Sequence, residues 1–117
     1  MTSFAMAMLV CSNLARSRDF YRDIVGLKLR TNAVPHWVDF ELNGGTVLGL
    51  HPASATLSVK PGSLQLVFHV ANVDAFVADA RTAGVRILQD PFEESFGRVA
   101  VISDPDGYPV QVGTPKP

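Results

Sequence analysis

Residues 17–29 read SRDFYRDIVGLKL, and this stretch combines the signals of a helix, a stop and a strand. Phe20 and Ile24 recur at the spacing of one helix face, while charged residues occupy the other side. Gly26 is a natural helix end, because glycine readily adopts the left-handed conformation that terminates many helices. The apolar residues after it favour a strand. The stretch therefore predicts a helix that turns sharply into a β-strand.

The rest of the chain predicts the same element order twice, which indicates an internal duplication. The first half predicts a strand at 4–11, a helix at 14–24 and strands at 27–30, 36–42 and 46–51. The second half predicts a strand at 64–70, a helix that begins after Asn72 or Asp74 and ends at Gly84, and strands at 86–88, 97–102 and 109–112. We predict one domain over residues 1–117, with module one at about 1–53, a linker at about 54–62 and module two at about 63–117. Residues 90–97 predict a loop that covers the entrance to a cavity formed by the two modules.

Composition narrows the class of protein. The 117 residues are 47% hydrophobic and 18% charged, with a formal net charge of −1 and no run of either sign. This balance argues against nucleic acid or an anionic membrane as a partner. The single cysteine, Cys11, excludes an internal disulfide and a CxxC-type metal site, and fits a reducing, cytoplasmic location. The first apolar run is far shorter than the roughly 20 residues that span a bilayer.

Two motifs together resemble one family. SRDFYRDIVGLKL is similar to the S-x-x-F-Y-x-x-x-L-G-L/F signature of the vicinal oxygen chelate superfamily, and DPDGY at 104–108 is similar to its D-P-D-G-N/Y hairpin. The superfamily comprises glyoxalase I, bleomycin-resistance proteins, fosfomycin-resistance transferases and extradiol dioxygenases. The resemblance covers essentially the whole chain. It implies an α+β fold in which two βαβββ modules form a half-open β-cup, usually completed by a homodimer.

The resemblance also implies where a metal would bind. In metal-dependent members, four strand positions facing the cup hold a divalent cation, and here they fall on Met6, Gly49, Gln65 and Gln111. This set offers a thioether, no side chain and two neutral amides, whereas such ions prefer carboxylates or imidazoles. Gln111 also stands where glyoxalase-type members keep a glutamate that acts as ligand and base. We therefore expect no metal and no cofactor, as in the bleomycin-resistance-like branch, whose members sequester ligands.

Two histidines leave an alternative open. His51 and His69 have the same strand parity as Gly49 and Gln65, so they are expected to face the cup one step further along each strand. Two residues of strand span about 6.6 Å, too far for direct replacement of the usual ligands. With an acid from a partner chain they would form a non-standard metal site. Otherwise they line the cup as hydrogen-bonded side chains.

The predicted function is binding of an apolar or aromatic small molecule, with an antibiotic as one candidate, and no metal dependence. Trp37 and Phe40 are three residues apart, so on a regular strand only one of them faces the cup. The expected ligand-binding residues are Met6, Met8, Trp37, Phe40, Gly49, His51, Gln65, His69, Phe96 and Gln111. The alternatives are a metal-dependent lyase, isomerase or dioxygenase, and a subunit with a collapsed cup whose role is assembly.

Overall fold

The computed structural model describes residues 2–62 and 64–116, which divide into two compact units, Met1–Lys60 and Pro61–Pro117. Each unit has the order strand, helix, three strands. Unit one contains β1 (Met6–Cys11), α1 (Leu14–Asp19) continued by a π-helical segment (Phe20–Val25), β2 (Lys28–Ala33), β3 (Trp37–Glu41) and β4 (Val47–Pro52). Unit two contains β5 (Leu66–His69), α2 (Val73–Thr82), β6 (Ile87–Glu94), β7 (Gly97–Ser103) and β8 (Pro109–Pro115). The predicted duplication of element order is confirmed.

The two sheets also share one topology. Sheet one has the order β1-β4-β3-β2 and sheet two the order β5-β8-β7-β6. In each, the first and last strands of the unit pair in parallel, and the remaining pairs are antiparallel. A parallel pair cannot be closed by a hairpin, so the helix and the two intervening strands make the connection.

Equivalent residues begin and end the helices. The side chain of Asn13 accepts a hydrogen bond from the backbone N–H of Arg16 at 3.0 Å, and Asn72 does the same for Ala75 at 2.9 Å. These bonds satisfy backbone donors that the first helical turn leaves unpaired. Gly26 follows the π-helical segment of unit one and has a φ of 87°, in the left-handed region that favours glycine. The helix predicted from 14 to 24 is thus confirmed, with its last part in π geometry.

The DPDGY motif forms the turn between β7 and β8. One carboxylate oxygen of Asp104 accepts hydrogen bonds from the backbone N–H groups of Asp106 at 2.8 Å and Tyr108 at 2.9 Å. Asp104 is 3% exposed, so these donors satisfy a carboxylate that burial would otherwise penalise. The motif therefore fixes where β8 begins.

In each unit the helix covers one face of the sheet. In unit one, Phe40 and Tyr21 are fully buried, with ring centroids 6.2 Å apart. In unit two, Val77 of α2 belongs to one apolar cluster with Ala100 and Val112 of the sheet. Among the described residues, neither helix has the length and apolar character needed to cross a membrane.

Two sequence predictions need correction. Residues 90–97 are not a covering loop, because β6 runs through Glu94 and a short turn leads directly to Gly97. The pairing of β6 with β7 has two register shifts, between Ile87 and Gln89 and between Gln89 and Phe92. They disrupt the alternation of apolar and polar residues by which a strand is recognised in a sequence. The strand predicted at 64–70 begins only at residue 66, so Gln65 precedes it.

Candidate functional site

Each sheet has a second face, opposite its helix, which we call the helix-distal face. Met8, Gly49 and Asp39 are direct partners across β1, β4 and β3, so their side-chain positions share this face of sheet one. Leu9 is 1% exposed on the helix side, whereas Met8 is 40% exposed on the helix-distal side. The strand alternation therefore separates a core face from a face that is open within unit one.

Trp37 contacts three other residues on the helix-distal face of sheet one. Its six-membered ring lies against Gly49, where an added Cβ would come within 2.7 Å of indole Cζ2. The ring forms a T-shaped pair with His51, with ring centroids 6.3 Å apart and an interplanar angle of 72°. The indole N–H donates a hydrogen bond to Asp39 Oδ2 at 2.9 Å. The missing side chain at Gly49 thus provides space that the indole occupies.

Asp39 anchors this arrangement. It is 2% exposed, and Arg30 donates to it twice, from Nε to Oδ1 at 2.9 Å and from Nη2 to Oδ2 at 2.6 Å. The Arg30 hydrogen bonds lower the pKa of Asp39 most, burial opposes them, and donors on Trp37 and Thr31 lower it further, to about 2. The carboxylate is therefore ionised at neutral pH and engaged by its neighbours, which makes it a poor proton acceptor.

Unit two has a hollow on its own helix-distal face. Its volume is about 80 Å³, and Val67, His69, Phe96, Val99 and Gln111 contribute to its lining. Val67 is 55% exposed and Phe96, in the turn between β6 and β7, is 60% exposed. Exposed apolar groups around a small concavity are typical of a surface that contacts another molecule.

Gln65 and Gln111, which the family resemblance places at two positions of one site, lie close together in unit two. Gln65 Nε2 donates a hydrogen bond to Gln111 Oε1 at 3.1 Å. Gln111 is paired with Val67 on β5 and Val101 on β7, which places it on the helix-distal face beside the hollow. Each amide retains polar atoms beyond this single bond. Their contact with a ligand stays a prediction.

Nine of the ten predicted ligand-binding residues lie on or beside the helix-distal faces of the two sheets, in two groups. Met6, Met8, Trp37, Gly49 and His51 lie in unit one, and Gln65, His69, Phe96 and Gln111 lie in unit two. Phe40 is the exception and the prediction was wrong for it: the residue is 0% exposed and its ring lies beside Tyr21 on the helix side. Trp37, the alternative three residues away, is the one on the helix-distal face.

The side chains at the four implied metal positions do not fit a divalent cation. Trp37 fills the space that a ligand at Gly49 would need, and the Gln111 carbonyl already accepts from Gln65. One ring nitrogen of His51 lies 2.8 Å from the backbone oxygen of Pro52. Within residues 2–62 and 64–116, no three His, Cys, Asp or Glu side chains cluster in a way that could hold a metal ion. The donors present are neutral and too few.

Sequence reasoning missed Arg30 and Asp39. The available signal was an acidic residue inside the apolar strand segment Trp37–Phe40, because a buried carboxylate requires strong partners. Its partner was not identifiable, since Arg30 lies at a register shift of β2 that breaks the simple alternation.

Comparison with known families decides the class of this fold. Residues 3–112 match the family model of the Glyoxalase/Bleomycin resistance protein/Dioxygenase superfamily. The chain belongs to this superfamily. The resemblance read from the two sequence motifs is therefore confirmed, and so is the α+β fold class. No curated protein gives a significant match.

Solved structures of the superfamily's fold match over nearly the full length. TnmS3, an antibiotic binding protein from Streptomyces sp. CB03234, is 29% identical, with a TM-score of 0.79 over 99% of this chain and 98% of its own. Protein ATC0852 from Agrobacterium tumefaciens is 28% identical, with a TM-score of 0.83 over 100% of both chains. A glyoxalase-related enzyme from Fulvimarina pelagi is 22% identical, with a TM-score of 0.82 over 97% and 88%, which shows the shared fold alone.

Proposed function

We propose that this protein binds an apolar or aromatic small molecule without a metal ion, with antibiotics among the candidate ligands. The observation that carries the proposal is the Trp37 indole, which lies against Gly49, is held by its hydrogen bond to Asp39 and is only partly buried. Binding by a preformed ring loses little conformational entropy, and stacking on an indole adds to the burial of apolar surface.

The chemistry of the surroundings supports the same proposal. Met6 and Met8 are each 40% exposed beside this site, and methionine side chains adapt to ligands of irregular shape. In unit two, the amides of Gln65 and Gln111 would orient a ligand whose polar edge reaches them, and Phe96 and His69 would add contact area. TnmS3, similar to this chain over nearly its full length, is an antibiotic binding protein.

The proposal includes an assembly and a location. The two units would form a half-open cup within one domain, a homodimer would complete it, and the protein would act in the cytoplasm without nucleic acid or membrane partners. Sedimentation equilibrium tests the dimer, for which the expected mass is twice the 12.6 kDa of one chain. A monomer at micromolar concentration would contradict that part of the proposal.

A thermal-shift screen tests the central claim. The purified protein is scanned against a library of metabolites and antibiotics and, separately, against Zn²⁺, Ni²⁺, Mn²⁺ and Fe²⁺. A ligand at a hundred times its dissociation constant adds about 2.7 kcal/mol to the stability of the native state. We expect aromatic compounds to raise the melting temperature and the metals to leave it unchanged.

The metal-dependent alternative makes the opposite prediction. Stoichiometric metal in protein purified without chelator, lost in His51→Ala and His69→Ala, would establish a non-standard metal site and favour a lyase, isomerase or dioxygenase. Trp37→Ala separates the two further, because it should abolish aromatic binding in the proposed function. It leaves both imidazoles in place for a metal.

A further inference from the structure

The Asp39 carboxylate brings a cationic group to the edge of the Trp37 ring. Arg30 Nη2 and Trp37 Nε1 donate to the same oxygen, Oδ2, at 2.6 and 2.9 Å. Two donors that share one acceptor atom are necessarily neighbours. The guanidinium therefore lies close to the N–H edge of the indole.

A β-bulge makes this arrangement possible. In the pairing of β2 with β3, Leu29 lies opposite Phe40 and Thr31 lies opposite Asp39, so Arg30 is the extra residue at a register shift. A bulge re-aims the side chain of the inserted residue, and such irregularities are frequent near functional sites. Here it allows Arg30 to reach a carboxylate whose direct partner in the register is Thr31.

The charges of this ion pair differ in their exposure. The Asp39 side chain is 2% exposed, while the Arg30 side chain is 51% exposed. Arg30 uses Nε and Nη2 on Asp39, and no described residue accepts a hydrogen bond from its Nη1. The nearby Glu41 carboxylate is paired with Lys28 at 3.0 Å. The buried anion is thus paired with a half-exposed cation whose Nη1 makes no hydrogen bond to a described residue.

We infer that Arg30 determines ligand specificity at this site and that Asp39 is the positioning residue that holds Trp37 and Arg30 together. The ligand class is a planar aromatic compound with a carbonyl, phenolate or carboxylate oxygen at its edge. The ring stacks on Trp37, and Arg30 Nη1 donates to the oxygen. This inference rests on the proposed function and names its ligand chemistry.

The bond from Asp39 to the indole also restricts what Trp37 offers. With its N–H engaged by Asp39, the ring has no hydrogen-bond donor left for a ligand, so its contribution is stacking. Polar recognition on this face is therefore left to Arg30, which supports an acceptor on the ligand.

Two matched probes test the specificity. The affinities of 2-naphthoate and of (naphthalen-2-yl)methylammonium are measured by isothermal titration calorimetry. We expect the naphthoate to bind about tenfold tighter or more, as one charge-assisted hydrogen bond predicts. Arg30→Lys keeps the positive charge opposite Asp39 but lacks the branched guanidinium, which donates to Asp39 and to a ligand at the same time. It should therefore remove most of the preference for the naphthoate over the ammonium probe. Arg22 is an exposed arginine whose Nε lies 2.7 Å from Asp23. The control variant Arg22→Lys should leave the preference for the naphthoate unchanged.

The positioning role has a spectroscopic test, because Trp37 is the single tryptophan of the chain. Asp39→Leu removes the indole's acceptor and should shift the Trp37 emission, while Asp39→Asn retains an acceptor and should restore it. Should Asp39→Leu fail to fold, the Arg30→Lys comparison decides the inference by itself.

The outcomes separate this inference from the proposed function. Equal affinity for the two probes, with both lost in Trp37→Ala, would overturn the role of Arg30 and leave the stacking site intact. Absence of binding for both probes would contradict the aromatic ligand class and the inference together. An unchanged preference in Arg30→Lys would likewise refute the specificity role.

Discussion

Replacement of Gly49 by alanine should displace Trp37 and destabilise the protein. Gly49 lies in β4 with no positive φ, so the backbone itself accepts alanine. In such a position the substitution ordinarily stabilises by about 0.4–1 kcal/mol, because it restricts the unfolded chain. Here the new methyl would approach indole Cζ2 to 2.7 Å, well inside van der Waals contact. The ring must therefore move, which also breaks its hydrogen bond to Asp39.

The magnitude follows from these opposing effects. Overpacking of this kind costs about 1–3 kcal/mol, and loss of a hydrogen bond to a charged group costs about 1.5–3 kcal/mol. Movement of the ring relieves the overlap, so these two costs are alternatives rather than additive. After the smaller gain from the unfolded state, the net destabilisation should be about 0.5–2.5 kcal/mol. For a domain of this size that corresponds to a melting temperature lowered by roughly 4 °C per kcal/mol.

Gly113 provides a matched control in unit two. It also lies in a strand and on the helix-distal face, but an added Cβ would meet only Val99 Cγ1 at 3.4 Å and Arg98 O at 3.5 Å, which are ordinary contacts. Gly113→Ala should therefore be neutral or stabilise by up to about 1 kcal/mol.

The assay is urea unfolding followed by circular dichroism, together with the emission spectrum of the single tryptophan. We expect opposite signs of the stability change in the two alanine variants and a shifted emission only in Gly49→Ala. Equal stability of both variants, with unchanged emission, would refute the proposed packing of Trp37 on Gly49.

Three further predictions concern other parts of the structure. Because the pKa of Asp39 in the folded protein is lowered to about 2, ionised Asp39 stabilises the native state by about 2 kcal/mol at neutral pH, and this contribution is lost as pH falls from about 4 to 2. The free energy of unfolding of Asp39→Asn should lack this part of the pH dependence. Asn72→Ala should cost about 1 kcal/mol in urea unfolding, since it removes the cap of α2, and an unchanged midpoint would contradict this. Gln111→Ala should weaken ligand affinity several-fold in calorimetry. Gln65→Ala should weaken it less, because the Gln111 amide keeps its donor and acceptor. Equal affinity of Gln111→Ala and wild type would exclude the amide from the site.

Local signals in the sequence predicted much of the fold. Asn13 and Asn72 as helix caps, Gly26 as a stop and the Asp104 turn all act over a few residues, so their effect is visible in the chain itself. The repeated element order followed from these signals, and the two family motifs agreed with it. Gln65 and Gln111 are hydrogen-bonded to each other, in agreement with their placement at one site by the family resemblance.

The details of the site depended on irregularities that the sequence does not display. The bulge at Arg30 breaks the alternation of β2, so its pairing with Asp39 was not predictable. Alternation alone showed that Trp37 and Phe40 face opposite sides, but it could not assign the sides. That assignment came from packing against the helix, where Phe40 meets Tyr21.

The most direct test of metal-independent binding is calorimetric titration of an aromatic ligand from the screen in chelator-treated, metal-free buffer. The account predicts the same dissociation constant with and without EDTA, and loss of binding in Trp37→Ala. Binding that disappears with EDTA and returns on addition of one equivalent of a divalent metal would contradict it.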